Sequence, residues 1–377
     1  MNFNLNQEQQ MLQDTVARLV RDQYPFDQRE MFAGSAEGFS VGFWRQLGEL
    51  GITALPVAEA YDGIGAGATE TLVVMTELGR GLCLEPYLQS VIFGAGLLAQ
   101  LGSNAQKAEL LPAVASATVQ LAVALDEPQS HYCLADVQTR AHLQTDGWQL
   151  SGRKSVVVGG QTADLLLVSA RSGGQSRDEE GISLYLVDPA AAGVRRREYP
   201  TIDGRRACDL FLDKAPAVLL GEAGKALPAL RYQQGRAIAA QCAEAVGSMQ
   251  AACALTLDYL KTRQQFGQPI GKFQALQHRM VDMQIELDQA MSMAILAACV
   301  ADEPDSDSRS RGLAAAKFIV SRAARLVADQ SIQLHGGIGL TWEYVVSHHA
   351  KHLLMVARQF GDDDHHLQAF SHLMVTP

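Results

Sequence analysis

The stretch TRQQFGQPI at Thr262–Ile270 interrupts a long helical pattern late in the chain, and the stretch QLHGGIGL at Gln333–Leu340 ends another. Apolar residues recur at helical spacing before each stretch. An arginine near a helix end, such as Arg263, offers paired N–H donors that suit the pyrophosphate of a dinucleotide. The pair Gly336-Gly337 closes its helix and lets a second backbone approach closely. The two stretches therefore suit helix ends that hold a nucleotide. The competing interpretations are a surface charge after a helix for Arg263 and an ordinary helix C-cap for Gly336-Gly337.

Outside these stretches the pattern of apolar and polar residues along the chain changes twice. From Leu5 to about Leu101 apolar residues recur every three to four positions, which predicts helices. From about Val119 short apolar runs rich in β-branched residues alternate with Gly, Asp and Ser, which predicts a compact β-barrel or sandwich. The acidic, proline-containing segment Asp302–Asp307 predicts a loop within the last part. Helix is predicted to resume near Leu227 and to continue almost to the end. The four long helical segments predicted there are Ala237–Arg263, Phe273–Val300, Leu313–His335 and Tyr344–Phe360.

This order predicts an α+β multidomain protein in three parts. Residues 1–118 are expected to form an N-terminal α-helical domain, residues 119–222 a middle β-barrel domain, and residues 223–377 a C-terminal four-helix bundle domain. A chain of 377 residues exceeds what one hydrophobic core usually serves, which agrees with several domains.

The composition argues against several classes of protein. A net charge of −10 without basic runs argues against a nucleic-acid or anionic-membrane partner. No run reaches the roughly 18 apolar residues that cross a bilayer, and the first residues do not resemble a secretion signal. The six cysteines show no metal-like spacing, and Cys242 and Cys253 are expected to be buried, inert thiols. We therefore expect a soluble, cytoplasmic protein.

From Asn4 to about Phe370 the chain resembles the acyl-CoA dehydrogenase family, in the order of its parts and in several motifs. The matching segments are Glu59–Gly65, Leu150–Lys154, the Arg263/Phe266-Gly267 motif and the Gln333/Gly336-Gly337 motif. The resemblance implies FAD as cofactor and an acyl-CoA substrate whose Cα–Cβ bond is dehydrogenated, as in fatty acid or steroid side-chain β-oxidation.

The resemblance also implies that the flavin site is shared between subunits. Arg263 and Phe266 are placed on the ADP half of the flavin held by a neighbouring subunit, and the glycine pair approaches the same ADP. The cofactor-binding residues implied in this way are Arg263, Phe266, Gln274, Gln333, Gly336 and Gly337. A shared site implies a homo- or hetero-oligomer, a tetramer built as a dimer of dimers, with electron-transfer flavoprotein as the expected acceptor.

The catalytic glutamate of the family has no counterpart here. Its commonest location, a Glu-Gly-Thr segment after the last long helix, falls on Phe360–Asp362, and phenylalanine cannot accept a proton. Its other location, a Glu-Arg pair that opens the long helix before the Arg263 motif, reads Gly235-Arg236, or Ala237 in an ungapped count. We therefore assign no catalytic residue and keep Arg236 as a substrate-binding candidate.

The middle part departs from the family pattern as well. The flavin-facing Trp-x-Thr of the family aligns with Val156–Val158, which lacks both the aromatic wall and the hydroxyl near flavin N5. The Gly-Ser-Asp loop that follows a Glu-Pro pair in the family is not recognisable in Glu127–His131.

Two acids are candidates for a relocated base. Glu244 lies about two turns after Ala237 on one helix, so the two share a face, although a polar residue in a helix contact is the competing interpretation. Asp362 opens an acidic turn, where a helix N-cap is the competing interpretation, with Asp364 starting the helix.

Three histidines on one helix face also need an interpretation. His348, His349 and His352 have no obvious carboxylate or cysteine partner, and Lys351 adds a positive charge. Solvated or nucleotide-adjacent histidines are therefore expected, and no metal site.

Three functions agree with these observations. The first is an FAD-linked acyl-CoA dehydrogenase subunit without its own base that completes the flavin site of a base-carrying partner, similar to the two-chain steroid and pimeloyl-CoA dehydrogenases. The second is a self-sufficient dehydrogenase that uses Asp362 or Glu244. The third is a non-catalytic acyl-CoA-binding or scaffold protein that keeps only the fold.

Overall fold

The structure, a computed structural model, describes residues 5–375, with eleven α-helices and nine strands among them. The helices are α1 (Gln7–Gln23), α2 (Phe26–Gly34), α3 (Val41–Glu49), α4 (Ala68–Arg80), α5 (Ala95–Leu101), α6 (Asn104–Ala115), α7 (Leu227–Thr262), α8 (Gln274–Ala301), α9 (Ser306–His335), α10 (Val345–Val356) and α11 (Asp363–Val375). The strands are β1 (Leu121–Ala124), β2 (Arg140–Gln144), β3 (Gly147–Val158), β4 (Leu165–Arg171), β5 (Ile182–Val187), β6 (Val194–Pro200), β7 (Arg206–Leu220), β8 (Gln264–Gln265) and β9 (Gln268–Pro269). This order of helices, strands and helices confirms the predicted fold class.

One compact unit of the chain is helical and combines the described residues up to Met31, Ala68–Cys83 and the described residues from Ile238 onward. Its core contains many alanines from α7, α8 and α9, which let these helices approach closely. Two glycines fix the crossing of α4 and α7, because a Cβ on Gly79 would lie 2.0 Å from the carbonyl oxygen of Glu244 and one on Gly247 would lie 1.8 Å from that of Thr76.

The other compact unit comprises Phe32–Gly67 and Leu84–Ala237 and contains the β-barrel. Strands β4, β2, β3, β7 and β5 pair in this order, and β5 pairs back to β4, so the sheet closes. Strand β1 lies parallel beside β4, and β6 lies beside β7. Inward-facing Leu166, Tyr185 and Leu210 are fully buried in the barrel core. The sheet is therefore a barrel rather than a sandwich.

A buried ion pair ties the barrel to the loop between β1 and β2. Lys154 Nζ lies 2.8 Å from Glu127 Oε1, with both side chains almost completely buried. The same carboxylate accepts the backbone N–H groups of Gln138 and Thr139. Burial opposes ionisation of Glu127, but Lys154 and the hydrogen bonds outweigh it and lower its pKa to about 2.

Two predicted helix boundaries are wrong, each for a local reason. Helix α9 begins at Ser306 and not at Leu313, because Asp305 caps it by accepting the N–H of Asp307 at 3.1 Å, so the predicted loop is shorter. Helix α10 ends at Val356 and not at Phe360, because Phe360 has a positive φ of 57° that no helix accommodates.

None of the helices within residues 5–375 is both long enough and apolar enough to cross a bilayer.

Candidate active site

The Arg263 motif forms a short hairpin at the end of α7. The strands β8 and β9 pair antiparallel, and the turn between them places Phe266 and Gly267 at positive φ. Phe266 is 89% exposed and makes an edge contact with Phe273, at 6.0 Å between ring centroids. Arg263 and Gln274 are exposed as well. The hairpin therefore presents a guanidinium, a carboxamide and an aromatic ring outward.

The Gln333 motif lies at the end of α9. Gly336 caps this helix with φ +65°, a conformation that favours glycine. A Cβ on Gly336 or Gly337 would meet no atom within 4 Å, so the backbone here is open to a ligand. Gln333 is exposed on the last turn of the helix.

A ring stack brings the two motifs together. Tyr259, one turn before the end of α7, stacks on His335 with ring centroids 4.5 Å apart and planes at 29°. The Arg263 N–H donates to the carbonyl of Tyr259, so the hairpin starts beside this stack. Sequence reasoning missed Tyr259 and His335, because an aromatic residue within a helix gives no signal of its contact.

Phe360, where the sequence analysis expects the family's base, lies in a turn between α10 and α11. Phe360 and Gly361 both have positive φ, and the Phe360 side chain packs partly buried against the bundle core. The carbonyl of Phe360 accepts a hydrogen bond from His366 Nε2 at 2.9 Å. The turn therefore holds an apolar ring against the bundle core.

A buried lysine lies under this turn. Lys317 Nζ donates to Gln241 Oε1 at 2.9 Å and to the carbonyl of Val356, while Gln241 donates to Gln359 at 2.5 Å. Burial lowers the pKa of Lys317 to about 8. Sequence reasoning missed Lys317, because a lysine within an alanine-rich helix resembles a surface residue.

Both candidate acids have structural partners. Asp362 Oδ1 accepts the N–H of His365 at 3.0 Å, so Asp362 caps α11. The prediction that Asp364 starts this helix is wrong by one residue, because α11 begins at Asp363. Glu244 is buried within the bundle, with His352 Nε2 at 3.9 Å from its carboxylate. This is the helix contact that the competing interpretation of Glu244 expects.

Arg236 lines a cavity of about 280 Å³ at the start of α7. The walls combine small or apolar residues with polar ones. They are Pro56, Ile92, Gly96, Ala99, Gln100, Tyr232, Gln233 and Arg236. A π-helix at Leu88–Gly94 leads into the α5 residues of this wall, and π-helical turns often occur at functional sites. Sequence reasoning identified only Arg236, because the other residues follow no motif.

The three histidines of α10 are buried, so the expectation of solvated side chains is wrong. His348 Nε2 donates to the carbonyl of Trp342 at 2.7 Å, and His349 Nδ1 lies 2.9 Å from Ser248 Oγ. Burial lowers the pKa of His349 to about 3. Within residues 5–375 no group of three or more His, Cys, Asp or Glu side chains could hold a metal ion.

Two cysteines of α7 match their prediction. Cys242 and Cys253 are buried, and burial raises the pKa of the first to about 11 and of the second to about 12. Neither thiol is therefore poised as a nucleophile.

Three family models match the chain. They describe the N-terminal domain of acyl-CoA dehydrogenases at residues 6–118, the middle domain at residues 122–215 and the C-terminal domain at residues 232–370. The chain belongs to the acyl-CoA dehydrogenase family. Members are FAD-dependent oxidoreductases that act on CH–CH bonds.

Individual relatives cover almost the whole chain. It is 30% identical over 355 residues to the probable acyl-CoA dehydrogenase YngJ of Bacillus subtilis, covering 92% of each chain. A solved variant of the Tcur3481-Tcur3483 steroid ACAD is 30% identical, covers 97% of each chain and superimposes with a TM-score of 0.88. The ChsE4-ChsE5 complex of Mycobacterium tuberculosis is 25% identical over the full length of both chains, with a TM-score of 0.89.

Proposed function

We propose that this chain is a subunit of an FAD-dependent acyl-CoA dehydrogenase that lacks its own base and completes the flavin site of a base-carrying partner. The proposal is supported by an asymmetry between two parts of the chain. The sequence pattern predicts Phe360 where the family carries its base, whereas Arg263, Gln333 and the open Gly336 backbone are all presented outward.

The outward-facing groups suit the ADP half of FAD. A guanidinium pairs with a pyrophosphate, a carboxamide both donates and accepts, and a bare glycine backbone allows close approach. When bound, FAD accepts the hydride from the substrate β-carbon. In this proposal Arg263, Phe266, Gln274, Gln333, Gly336 and Gly337 hold the cofactor. Arg236, in its half-buried position on the cavity wall, stays the candidate for contact with the acyl-CoA.

Two observations favour this function over the alternatives. Asp362 caps a helix, and Glu244 lies inside the helical bundle, so both acids have structural roles that explain them without catalysis. A pure scaffold has no need of an exposed arginine and an open glycine pair beside each other. The comparison with two-protein complexes of the family, such as ChsE4-ChsE5, agrees with an unlike partner.

The decisive experiment is the flavin content of the chain purified alone, followed by acyl-CoA addition in the same cuvette. We expect little flavin and no bleaching, and we expect both to appear after co-purification with a base-carrying family member. Full FAD occupancy with bleaching by acyl-CoA would instead establish a self-sufficient enzyme. In that case Asp362→Asn and Glu244→Gln would locate the base.

A further inference from the structure

The cavity at the start of α7 is lined by that helix, by α5 and by Pro56 and Ile92, and it measures about 280 Å³. Its polar side chains are Gln100, Tyr232, Gln233 and Arg236. None of its eight lining residues is acidic. Because an arginine stays charged across the working pH range, the cavity is positive in a chain whose net charge is −10. Its chemistry therefore favours a negatively charged ligand.

Gln233 is the buried polar side chain of this cavity wall. The residue is only 4% exposed, and its Nε2 donates to Gln100 Oε1 at 3.0 Å. Its Oε1 is buried and accepts no hydrogen bond from the residues that the structure describes. A buried polar atom without a partner costs free energy. A ligand that supplies the missing hydrogen bond is therefore favoured at this position.

Gly96 on α5 leaves the room that the Gln233 amide occupies. A Cβ on Gly96 would lie 2.3 Å from Gln233 Oε1 and 2.9 Å from Gln233 Cδ, so any larger residue would displace the amide. Alanine forms helices better than glycine does, so α5 itself gives no reason for a glycine here. The bare backbone of Gly96 therefore serves the cavity and not the helix.

The two amides can adapt to a ligand that accepts hydrogen bonds. Turning both amides over keeps the bond between them, now from Gln100 Nε2 to Gln233 Oε1, and brings Gln233 Nε2 beside Gly96. A carboxylate oxygen at that place would accept from Gln233, while the guanidinium of Arg236 would supply a charge-assisted hydrogen bond. A neutral hydroxyl would use the amides but not the charge of Arg236.

We propose that this cavity binds a carboxylate, so that the substrate is the CoA thioester of a dicarboxylic acid whose second carboxylate lies at the far end of the acyl group. The inference deepens the proposed function and rests on it for the thioester end alone. The carboxylate site needs neither FAD nor a partner subunit, because all its lining residues belong to the compact unit of Phe32–Gly67 and Leu84–Ala237.

The test measures the binding of CoA thioesters to the full chain purified alone, by isothermal titration calorimetry without added flavin. Glutaryl-CoA to suberyl-CoA are each compared with the monocarboxylic thioester of equal length, from pentanoyl-CoA to octanoyl-CoA. At one length or more the dicarboxylic thioester is expected to bind at least about tenfold more tightly, because it adds charge-assisted hydrogen bonds. The ω-hydroxyacyl-CoA of that length separates charge from hydrogen bonding and is expected to bind more weakly than the dicarboxylic thioester.

Two variants show whether the carboxylate lies in this cavity. Arg236→Gln removes the charge, and Gly96→Ala displaces the Gln233 amide, so each is expected to abolish the preference for the dicarboxylic thioester. Arg236→Gln should leave the affinity for the monocarboxylic thioester unchanged. Arg231→Gln is the matched control, because Arg231 lies at an exposed position of the same helix and pairs with Glu179, and it should keep the preference. Thermal unfolding checks that each variant is folded.

Several results would overturn the inference. They are the absence of a preference at every length, equal binding of the hydroxyacyl and dicarboxylic thioesters, and a preference that survives in both folded variants. Equal weakening of both thioesters in Arg236→Gln would also overturn it, because the arginine would then contact the CoA part that they share.

The inference and the proposed function fail on different measurements. If the chain binds none of the thioesters, the inference is overturned, while the proposal of a flavin site shared with a partner stands. That proposal fails separately if Arg263→Ala leaves the flavin content of the assembled oligomer unchanged, and a measured preference for the dicarboxylic thioester would still stand.

Discussion

Phe360 offers the most direct test of the missing base at the scale of single residues. Its turn is ordered, with the backbone carbonyl held by His366, so a glutamate there would start from a fixed position. General-base catalysis contributes roughly 10²–10⁴-fold to a rate. In the chain supplied with excess FAD and without a base-carrying partner, we expect Phe360→Glu to raise the rate of flavin reduction by acyl-CoA at least about tenfold in anaerobic stopped-flow measurements. Phe360→Gln is the control, because it has a similar size and cannot take the proton.

A result in which both variants reduce flavin at the same rate as the unaltered protein, with equal FAD content, would remove Phe360 from the active site. The base would then have to be sought elsewhere on the chain.

Lys317 gives a second prediction at this scale, one of stability. Lys317→Met leaves the Gln241 amide oxygen and the Val356 carbonyl without their donor, which costs about 1–3 kcal/mol in the free energy of unfolding. The folded pKa of about 8 lies below the ordinary 10.5, so between these values the unfolded chain binds more protons. Stability of the unaltered protein should therefore rise with pH from 8 to 10.5, by up to roughly 3 kcal/mol.

Urea unfolding at pH 7.5 and at pH 10 measures this effect, taking the difference between the unaltered protein and Lys317→Met at each pH. Lys272→Met, at an exposed position, is the matched control and should show no such change. If the difference in unfolding free energy between the two proteins does not depend on pH, burial does not lower the pKa of Lys317.

At the scale of elements, helix α10 makes the helical unit sensitive to acid. His349 is buried with its pKa lowered to about 3, so it is neutral when folded, whereas the unfolded side chain titrates near 6.5. Between these values the unfolded state binds more protons, and stability falls as the pH falls. The penalty at pH 5 is roughly 2 kcal/mol.

His349→Gln keeps a group able to bond Ser248 Oγ but removes the titration. We expect this variant to lose less stability than the unaltered protein between pH 7 and pH 5 in urea unfolding. His278→Gln, on an exposed turn of α8, should behave like the unaltered protein. Equal acid sensitivity of all three would contradict the assignment.

The elements also show what a sequence can and cannot predict. The helix near Leu227 and the change to strands near Val119 follow from apolar patterns. The structure confirms both, because α7 begins at Leu227 and β1 begins at Leu121. The end of α10 does not, because it is set by Phe360 at positive φ and by Lys317, which comes from another helix. The positive φ of Val156 gives no signal either, since Asp209, which accepts its N–H, lies more than fifty residues along the chain.

The sequence likewise predicts one part of the candidate site and gives no signal for the other part. The Arg263 and Gln333 motifs are visible because glycine and arginine at helix ends carry local meaning. The stack of Tyr259 on His335, the burial of the three histidines and the wall of the Arg236 cavity depend on helix packing. Such contacts join residues far apart in sequence, so periodicity alone does not reveal them.

At the scale of the whole molecule, the helical unit exposes apolar side chains around both motifs. Phe266 is 89% exposed, Leu340 74% and Trp342 54%. Large apolar side chains exposed beside a motif mark surfaces that another molecule covers. This supports the expectation that a second subunit covers the hairpin and the segment after Gly337, and that Arg263 acts across that boundary.

Arg263→Ala is therefore expected to lower the FAD content of the assembled oligomer at least about tenfold, because the pyrophosphate loses a charge-assisted, bidentate partner. The fold of the chain should not change, since Arg263 is exposed and its backbone N–H still donates to Tyr259. Visible absorbance per subunit after size-exclusion chromatography measures the flavin, and circular dichroism measures the fold. Arg279→Ala, at an exposed position on α8, is the control. Loss of flavin with an intact oligomer would place the arginine on the cofactor, whereas loss of the oligomer itself would make it an interface residue that affects FAD only through assembly.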